Sequence, residues 1–517
     1  MKRARLLLPV LAAMWLLVVP AAQAADRGAL SPLHAEPDAV DGGRIVDARG
    51  RQVLLRGVNV NALAEYWAGT QYPTVFALEP RDPARMAAIG WNTVRLLLSW
   101  SRVEPRPGVY DEAYLAEVAA TVRKLRRNGL YTIIDMHQDA WGPALAAREG
   151  EACTPPALPG LGWDGAPAWA TLDGALARCY SGLREFNAAT QRAWEAFFAD
   201  ETGPGEVGIQ TRYVAMWRRV ARAFARESAV AGFDLMNEPA AFSASDQSRL
   251  SAMYARALAA IREGERAGRG RRHLVLFEPS VLFSAVGRGA PPDFARDRDV
   301  VYAPHLYTGG FDGRPITEAA FAVARDEARG FGGAPVLIGE WGADPDRAGP
   351  AGDGYFLEHQ RLQDSFQFGA TLWTWRESCG DPHKVADYRA GRVPEVWGEW
   401  DVDCTTNTIK GPRTALVATL TRAYVRAAPG RLTQSSYDEQ AGRLEATGVA
   451  PGCRGRAARR RCAVAELVAF YPRAKHGGLR LRLHGLGRAR VSATPGGGRL
   501  VSARPRGGPW SLRVTPR

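Results

Sequence analysis

The chain has 517 residues, 67 Lys+Arg against 54 Asp+Glu, and a formal net charge of +13. With 46% hydrophobic residues it has the composition of a folded protein, which excludes disordered and collagen-like classes. The charge is concentrated: residues 431–517 hold 18 Lys+Arg and only 4 Asp+Glu, and without a recognisable module this basic segment does not predict a nucleic-acid partner.

The amino terminus runs Met1-Lys2-Arg3-Ala4-Arg5, then an apolar stretch from Leu6 to Pro20, then Ala22-Gln23-Ala24. This is the layout of a secretory leader, expected to be cut after Ala24 and to leave a secreted, extracellular protein. No later apolar run reaches the length a membrane helix needs, and no lipid anchor is indicated, so a soluble monomer is expected. Six cysteines in an exported chain favour disulfides. Paired in sequence they give Cys153 with Cys179, Cys379 with Cys404, and Cys453 with Cys462, one arrangement among several. No Cys-x-x-Cys occurs, and neither a metal nor a cofactor is expected.

Eight strand-like runs follow in order: Val53–Asn59, Thr93–Ser99, Tyr131–His137, Gly232–Asn237, His273–Phe277, Val301–His305, Pro335–Gly339 and Ala370–Trp375. Helical periodicity separates them, as in Ala113–Arg127, Tyr213–Ala225, Arg249–Arg262 and Phe356–Phe368. This alternation predicts an α/β fold, a (β/α)8 TIM barrel over residues 25–430. Two long insertions, Ala140–Gln210 and Arg376–Lys410, each carry one cysteine pair and are expected to wall the substrate site. Beyond Pro429-Gly430, short alternating runs at Leu467–Tyr471, Leu479–Leu483 and Arg490–Ala493 predict a C-terminal antiparallel β-sandwich over 431–517. Its basic character allows peripheral contact with lipid surfaces, although most of the charge is arginine in a chain rich in arginine throughout.

The chemistry collects at the strand ends, which converge on one face of such a barrel. Glu238 closes Phe-Asp-Leu-Met-Asn-Glu-Pro and Glu340 closes Pro-Val-Leu-Ile-Gly-Glu, giving two carboxyl groups for acetal hydrolysis, one protonated and one ionised. Asn237 is suited to a sugar hydroxyl. On the third strand, period two puts Asp135, His137 and Asp139 on one side. Arg95, mid-strand in an apolar run, needs an anionic partner; Glu340 is the expected one, kept ionised by the guanidinium. His305 and Tyr307 end the sixth strand, and Trp373 and Trp375 share one side of the eighth, where either indole could underlie a sugar ring.

Together Arg95, His137, Asn237, Glu238, His305, Tyr307, Glu340 and Trp373, with Trp375 competing for the last place, resemble the strand-end set of glycoside hydrolase family 5. The resemblance implies a retaining enzyme with Glu238 as acid/base and Glu340 as nucleophile. Within that family Asp135-Met136-His137-Gln138-Asp139, the loop Trp375-Arg376-Glu377-Ser378-Cys379-Gly380-Asp381-Pro382-His383 and the segment Glu466–Pro472 are similar to endoglycoceramidases. That likeness implies Asp139 as a sugar ligand and cleavage of the β-linkage between glycan and ceramide. One departure is the loop Asn61–Trp67, which lacks the lysine expected there for a distal sugar. The expected substrate is thus a glycolipid or another β-glycoside, with an endo-β-glucanase or β-glucosidase as the alternative and a noncatalytic glycolipid-binding protein as a third reading.

Overall fold

The computed structural model describes residues 30–283, 294, 297–311, 313–343, 353–472 and 478–517. The leader expected over Met1–Ala24 lies outside the described residues. Eight parallel strands form the central sheet: β1 Arg56–Leu63, β2 Thr93–Ser99, β3 Tyr131–His137, β4 Val230–Asp234, β5 Leu274–Phe277, β6 Val300–Tyr302, β7 Leu337–Trp341 and β8 Gly369–Leu372. Each pairs with its sequence neighbour, and β8 pairs with β1. The ring closes between β6 and β7, where Tyr302 bridges Val336 and its N–H donates to the Pro335 carbonyl at 2.9 Å. These strands read as unbroken apolar runs because both faces are covered, by barrel interior on one side and helices on the other.

Amphipathic helices supply that cover. Glu112–Arg127 begins with Asp111 capping the Tyr114 N–H, and Ala244–Ala267 begins with a Ser243/Asp246 capping box. Ile209–Phe224 and Asp353–Phe366 are the others expected from periodicity. The end of the barrel opposite the catalytic loops is shut: Leu33, Ala35 and Ile45, from a hairpin before β1, pack against Tyr131, Ile133, Leu274 and Leu337. The barrel interior is therefore reached from the C-terminal ends of the strands.

The β-sandwich is present as two antiparallel sheets. One, of four strands, is built from Arg431–Asp438, Arg443–Ala450, Gly508–Pro516 and Leu479–His484. The other has seven and draws on both ends of the chain. Leu33–Glu36, Arg44–Asp47 and Arg51–Val53 join Tyr424–Pro429, which continues into Leu467–Tyr471, Arg499–Ala503 and Arg490–Ala493. Thus Val53, expected to open the first barrel strand, ends a sandwich strand instead, and β1 starts at Arg56.

All three disulfides form as paired in sequence, with Cα–Cα separations of 5.6, 5.3 and 5.8 Å. The third does not close a hairpin between two strands. Cys462 lies on a helix, Arg456–Val464, and the bond ties that helix to the segment after Arg443–Ala450.

Candidate active site

The strand ends enclose a cavity of about 470 Å³, and His137, Asp139, Asn237, Glu238, Tyr307, Glu340 and Trp373 all line it. A carboxylate oxygen of Glu238 and one of Glu340 lie within 4.8 Å of each other, with His305 between them. The backbone at Glu238 has φ 38, a left-handed conformation that costs a non-glycine residue on the order of 1–3 kcal/mol. Three hydrogen bonds hold it there. Gln138 Nε2 donates to the carbonyls of Asn237 (2.7 Å) and Glu238 (3.0 Å), and the Glu238 N–H donates to Glu278 Oε2 (2.8 Å).

Beneath the cavity floor lies a buried charge network centred on Arg95. Its guanidinium contacts Asp135 (2.9 Å), Asp234 (2.9 Å), Glu278 (2.7 Å) and Glu340 (2.7 Å), and donates to Asn59 Oδ1 and Asn237 Oδ1. The expected Arg95–Glu340 pair therefore forms, but as one of four. Arg95 is fully buried and does not line the cavity, so it does not serve as a substrate ligand alongside the other strand-end residues: its donors are spent on the protein, and it positions Glu340 and Asn237. His305 is likewise buried behind the two glutamates, with Nδ1 2.9 Å from Glu238 Oε1 and Nε2 3.0 Å from Glu278 Oε1. It too acts on the carboxylates, and the cavity-lining set does not include it.

Electrostatics follow from burial. Asp135 and Glu278 are pushed up to about 7 and Asp234 to about 6, chiefly by desolvation, with Arg95 pulling each back. Burial opposes the charge on His305, but Glu278 and Glu340 hold it well above the ordinary histidine range. Burial also raises Glu340, more than His305 and Arg95 lower it. The expectation that Arg95 alone keeps this carboxyl low is thereby corrected: its charge is divided among four acids, and Glu238 adds repulsion. What Glu340 receives in compensation is directed hydrogen bonding, from Arg95 Nη1 and from the Tyr307 hydroxyl at 2.8 Å.

His137 Nδ1 is hydrogen-bonded to Asp135 Oδ2 at 2.7 Å, and burial lowers it to about 4, so the ring stays neutral with Nε2 toward the cavity. Trp373 stacks on it with centroids 5.7 Å apart. Trp375 does not reach the cavity: it packs edge-on against Trp400, because β8 ends at Leu372 and strict alternation ends with it. The family reading of the strand-8 tryptophan therefore falls on Trp373. Asn237 keeps its place in the wall, with its amide bonded to Arg95 and to the Gln138 carbonyl.

The walls combine polar and apolar side chains. Asp139, Arg184, Glu377, His383 and Lys384 are among the polar members; Arg184 Nη2 reaches Asp139 at 2.5 Å and the guanidinium lies over Trp163 at 4.0 Å. Lys384 pairs with Glu377 at 2.8 Å, so an ammonium enters the cavity from the eighth loop instead of the first. The apolar members include Leu183, Phe186, Phe242, Val281, Leu282 and Phe311. Three of these are unusually exposed for apolar side chains: Leu183 at 61%, Phe186 at 50% and Phe311 at 47%. Of the insertion aromatics, Trp163, Tyr180, Phe186 and Trp397 line the cavity, whereas Trp141, Trp169 and Trp400 pack within the protein and Tyr388 reaches the Cys404 carbonyl.

Glu278 and Asp234 escaped the sequence reading. Glu278 carried a usable signal, since Phe277-Glu278-Pro279 repeats the strand–Glu–Pro pattern of Glu238. Asp234 stands within an apolar strand, as Arg95 does. Arg184 and Lys384 lie in long insertions, where no periodicity orients a side chain.

A barrel with an acid pair at its strand ends is the apparatus of a glycoside hydrolase, and comparison agrees. Residues 46–378 match the family model described as cellulase, glycosyl hydrolase family 5, and the chain belongs to that family. Among solved structures it is similar to an endogalactoceramidase: 36% identity, 94% of this chain and 100% of that one covered, TM-score 0.81. It is also similar to endo-glycoceramidase II from Rhodococcus sp., determined as a lactosyl-enzyme intermediate, with 27% identity, 91% and 99% coverage and TM-score 0.70. The same enzyme in a ganglioside GM3 complex gives 26% identity, with 91% of this chain and 98% of that one covered, at TM-score 0.69. A curated relative, endoglycoceramidase I of Rhodococcus hoagii, is 33% identical over 189 residues, 33% of this chain; the alignment spans only 35% of that relative.

Proposed function

We propose that the protein is a secreted, retaining β-glycosidase that cleaves the bond between glycan and ceramide in glycosphingolipids. The observation that carries this reading is the lining of the cavity. Around the acid pair it joins polar side chains suited to a sugar with apolar ones, Leu183, Phe186 and Phe311, that are partly open to solvent and suited to a lipid. Burying each methylene of a ceramide there contributes about 0.8 kcal/mol. The similar enzymes whose names include a ceramide support the same assignment.

Glu238, at the end of the fourth strand, protonates the leaving ceramide oxygen, and Glu340 attacks the anomeric carbon. The short oxygen–oxygen approach favours direct attack over an intervening water, since inverting enzymes need carboxyl groups about 6.5–9.5 Å apart. Arg95 and Tyr307 aim Glu340 and disperse its charge; His305, cationic beside Glu238, favours return of that residue to its carboxylate once the proton has left.

The test compares kcat/KM for a ceramide-linked glycan with that for the same glycan on a short soluble aglycone. A marked preference for ceramide is expected. Equal values would replace the lipid reading with a glucan or simple β-glucoside hydrolase. Glu238→Gln and Glu340→Gln should each abolish turnover, and an activated leaving group should partly restore only the former. Early-time NMR showing the inverted anomer would reject the retaining step.

A further inference from the structure

Behind the polar members of the cavity wall, Asp164 is 0% exposed, and neither of its carboxylate oxygens has a hydrogen-bond partner. Its segment of the first insertion is knitted to the barrel. The Asp139 N–H donates to the Asp164 carbonyl at 3.3 Å, Tyr66 bridges Asp164, and the Trp67 N–H donates to the Trp163 carbonyl at 2.9 Å. The carboxyl group therefore faces His137 and Asp139 from the end of β3, Tyr66 from the loop after β1, and Asp381 from the loop after β8. Side-chain atoms of His137, Asp139 and Asp164 lie within 4.8 Å of one another.

The charges there do not balance if Asp164 is ionised. Arg184 neutralises Asp139, and His383 Nδ1, 2.7 Å from Asp381, neutralises that residue. Among the described residues no cation pairs with Asp164. Neutral His137 brings no positive charge to balance it. The Asp164 N–H and the more distant Arg184 offset burial and the charges of Asp139 and Asp381 only in part, and two adjacent carboxyl groups relieve such a site by sharing one proton.

We propose that Asp164 is a neutral carboxylic acid whose O–H donates to Asp139, fixing the ionised Asp139 carboxylate between Arg184 and the sugar. Asp164 is thus a positioning residue, and its role rests on the glycosidase reading of the cavity. Burial, and then the charges of Asp139 and Asp381, hold its pKa well above the carboxylate range, as this requires. When the proton leaves at alkaline pH, Asp139 loses its second donor and gains a repelling neighbour. Sugar binding then weakens, raising KM more than it lowers kcat.

The experiment measures kcat and KM against pH with an aryl β-glycoside for the wild type, Asp164→Asn and Asp164→Leu, together with infrared spectra of the three proteins. The wild type should show KM rising on the alkaline side. Asp164→Asn, whose amide donates without titrating, should flatten that rise, and Asp164→Leu should raise KM about tenfold at every pH. At neutral pH the protonated-carboxyl band should be weaker in Asp164→Asn than in the wild type. An unaltered alkaline rise in Asp164→Asn, an unchanged band, or a stoichiometric metal whose removal raises KM would each overturn the proposal. If no glycoside is turned over, the glycosidase reading fails, while the infrared comparison still decides where the proton is.

Discussion

Replacing Arg95 with methionine tests the network that organises the site. The substitution keeps an unbranched side chain of similar reach and removes a charge shared by Asp135, Asp234, Glu278 and Glu340 at 2.7–2.9 Å. Removing one partner of a buried ion pair costs about 3–5 kcal/mol, because the remaining charge is left uncompensated. Here the acids can escape by taking up protons, so the cost must depend on pH. Asp135 and Glu278 are already raised to about 7 and Asp234 to about 6, against about 4 in an unfolded chain. A raised carboxyl pKa means that the native state holds protons the unfolded chain has released. That stability is complete below about pH 4 and is lost as pH rises through the folded values. Arg95 limits the loss in the wild type; without it the folded values climb further and the loss deepens. The deficit of Arg95→Met should therefore be small at about pH 5, where Asp135, Glu278 and Asp234 are largely protonated in both proteins, and should open to about 3–5 kcal/mol near pH 8. Urea unfolding at the two pH values, compared through midpoints at a common slope, measures it. A deficit equal at both pH values, or below about 1 kcal/mol at the higher one, would refute the shared-counterion account.

Tyr307→Phe removes the hydroxyl that donates to Glu340 at 2.8 Å, and kcat should fall about tenfold with little change in substrate affinity, read from steady-state kinetics. Phe186→Ser strips a half-exposed ring from the apolar lining, where it stacks on Phe242 at 4.9 Å. It should lower kcat/KM about thirtyfold for the ceramide-linked substrate and hardly at all for a short aglycone, in line with about 2 kcal/mol for a large apolar contact. Gln138→Leu withdraws both donors from the carbonyls of Asn237 and Glu238, and a loss of kcat exceeding any loss of thermal stability is expected. Replacing Cys153 and Cys179 by serine opens a 26-residue loop, with a chain-entropy cost of about 3 kcal/mol. Since the loop walls the cavity, proteolysis within residues 140–210 should precede global unfolding.

The barrel was legible because parallel strands buried on both faces leave unbroken apolar runs, and because a side chain at a strand end has only one place to go. Glu238, Glu340, His137 and Tyr307 follow from that geometry alone. Where the backbone leaves regular structure, the rule lapses. Trp375 turned away past the end of β8, and Arg184 and Lys384 entered the cavity from insertions whose paths are set by packing and disulfides. Arg95 was visible as a buried charge in need of a partner, but four acids around one guanidinium is a matter of depth across the barrel, which no single strand encodes. The sandwich strand at Arg51–Val53 was hidden for a similar reason: three residues of β-pattern next to β1 carry no mark of the sheet they will join.

That last strand has a consequence for how the molecule is made. Ala427 pairs with Val53, and Arg51 also meets Pro429 and Gly430, across most of the length of the chain. An N-terminal segment emerging first during synthesis can begin to form its early strands and helices. The hairpin that shuts the barrel floor is local and packs on Tyr131, Ile133, Leu274 and Leu337, so it can form early. The edge at Arg51–Val53, however, waits for Tyr424–Pro429, and a pairing so distant in sequence forms late. A chain stopped before Tyr424 would leave that strand edge unpaired. Completion of the seven-stranded sheet is in this way tied to the synthesis of residues beyond 420.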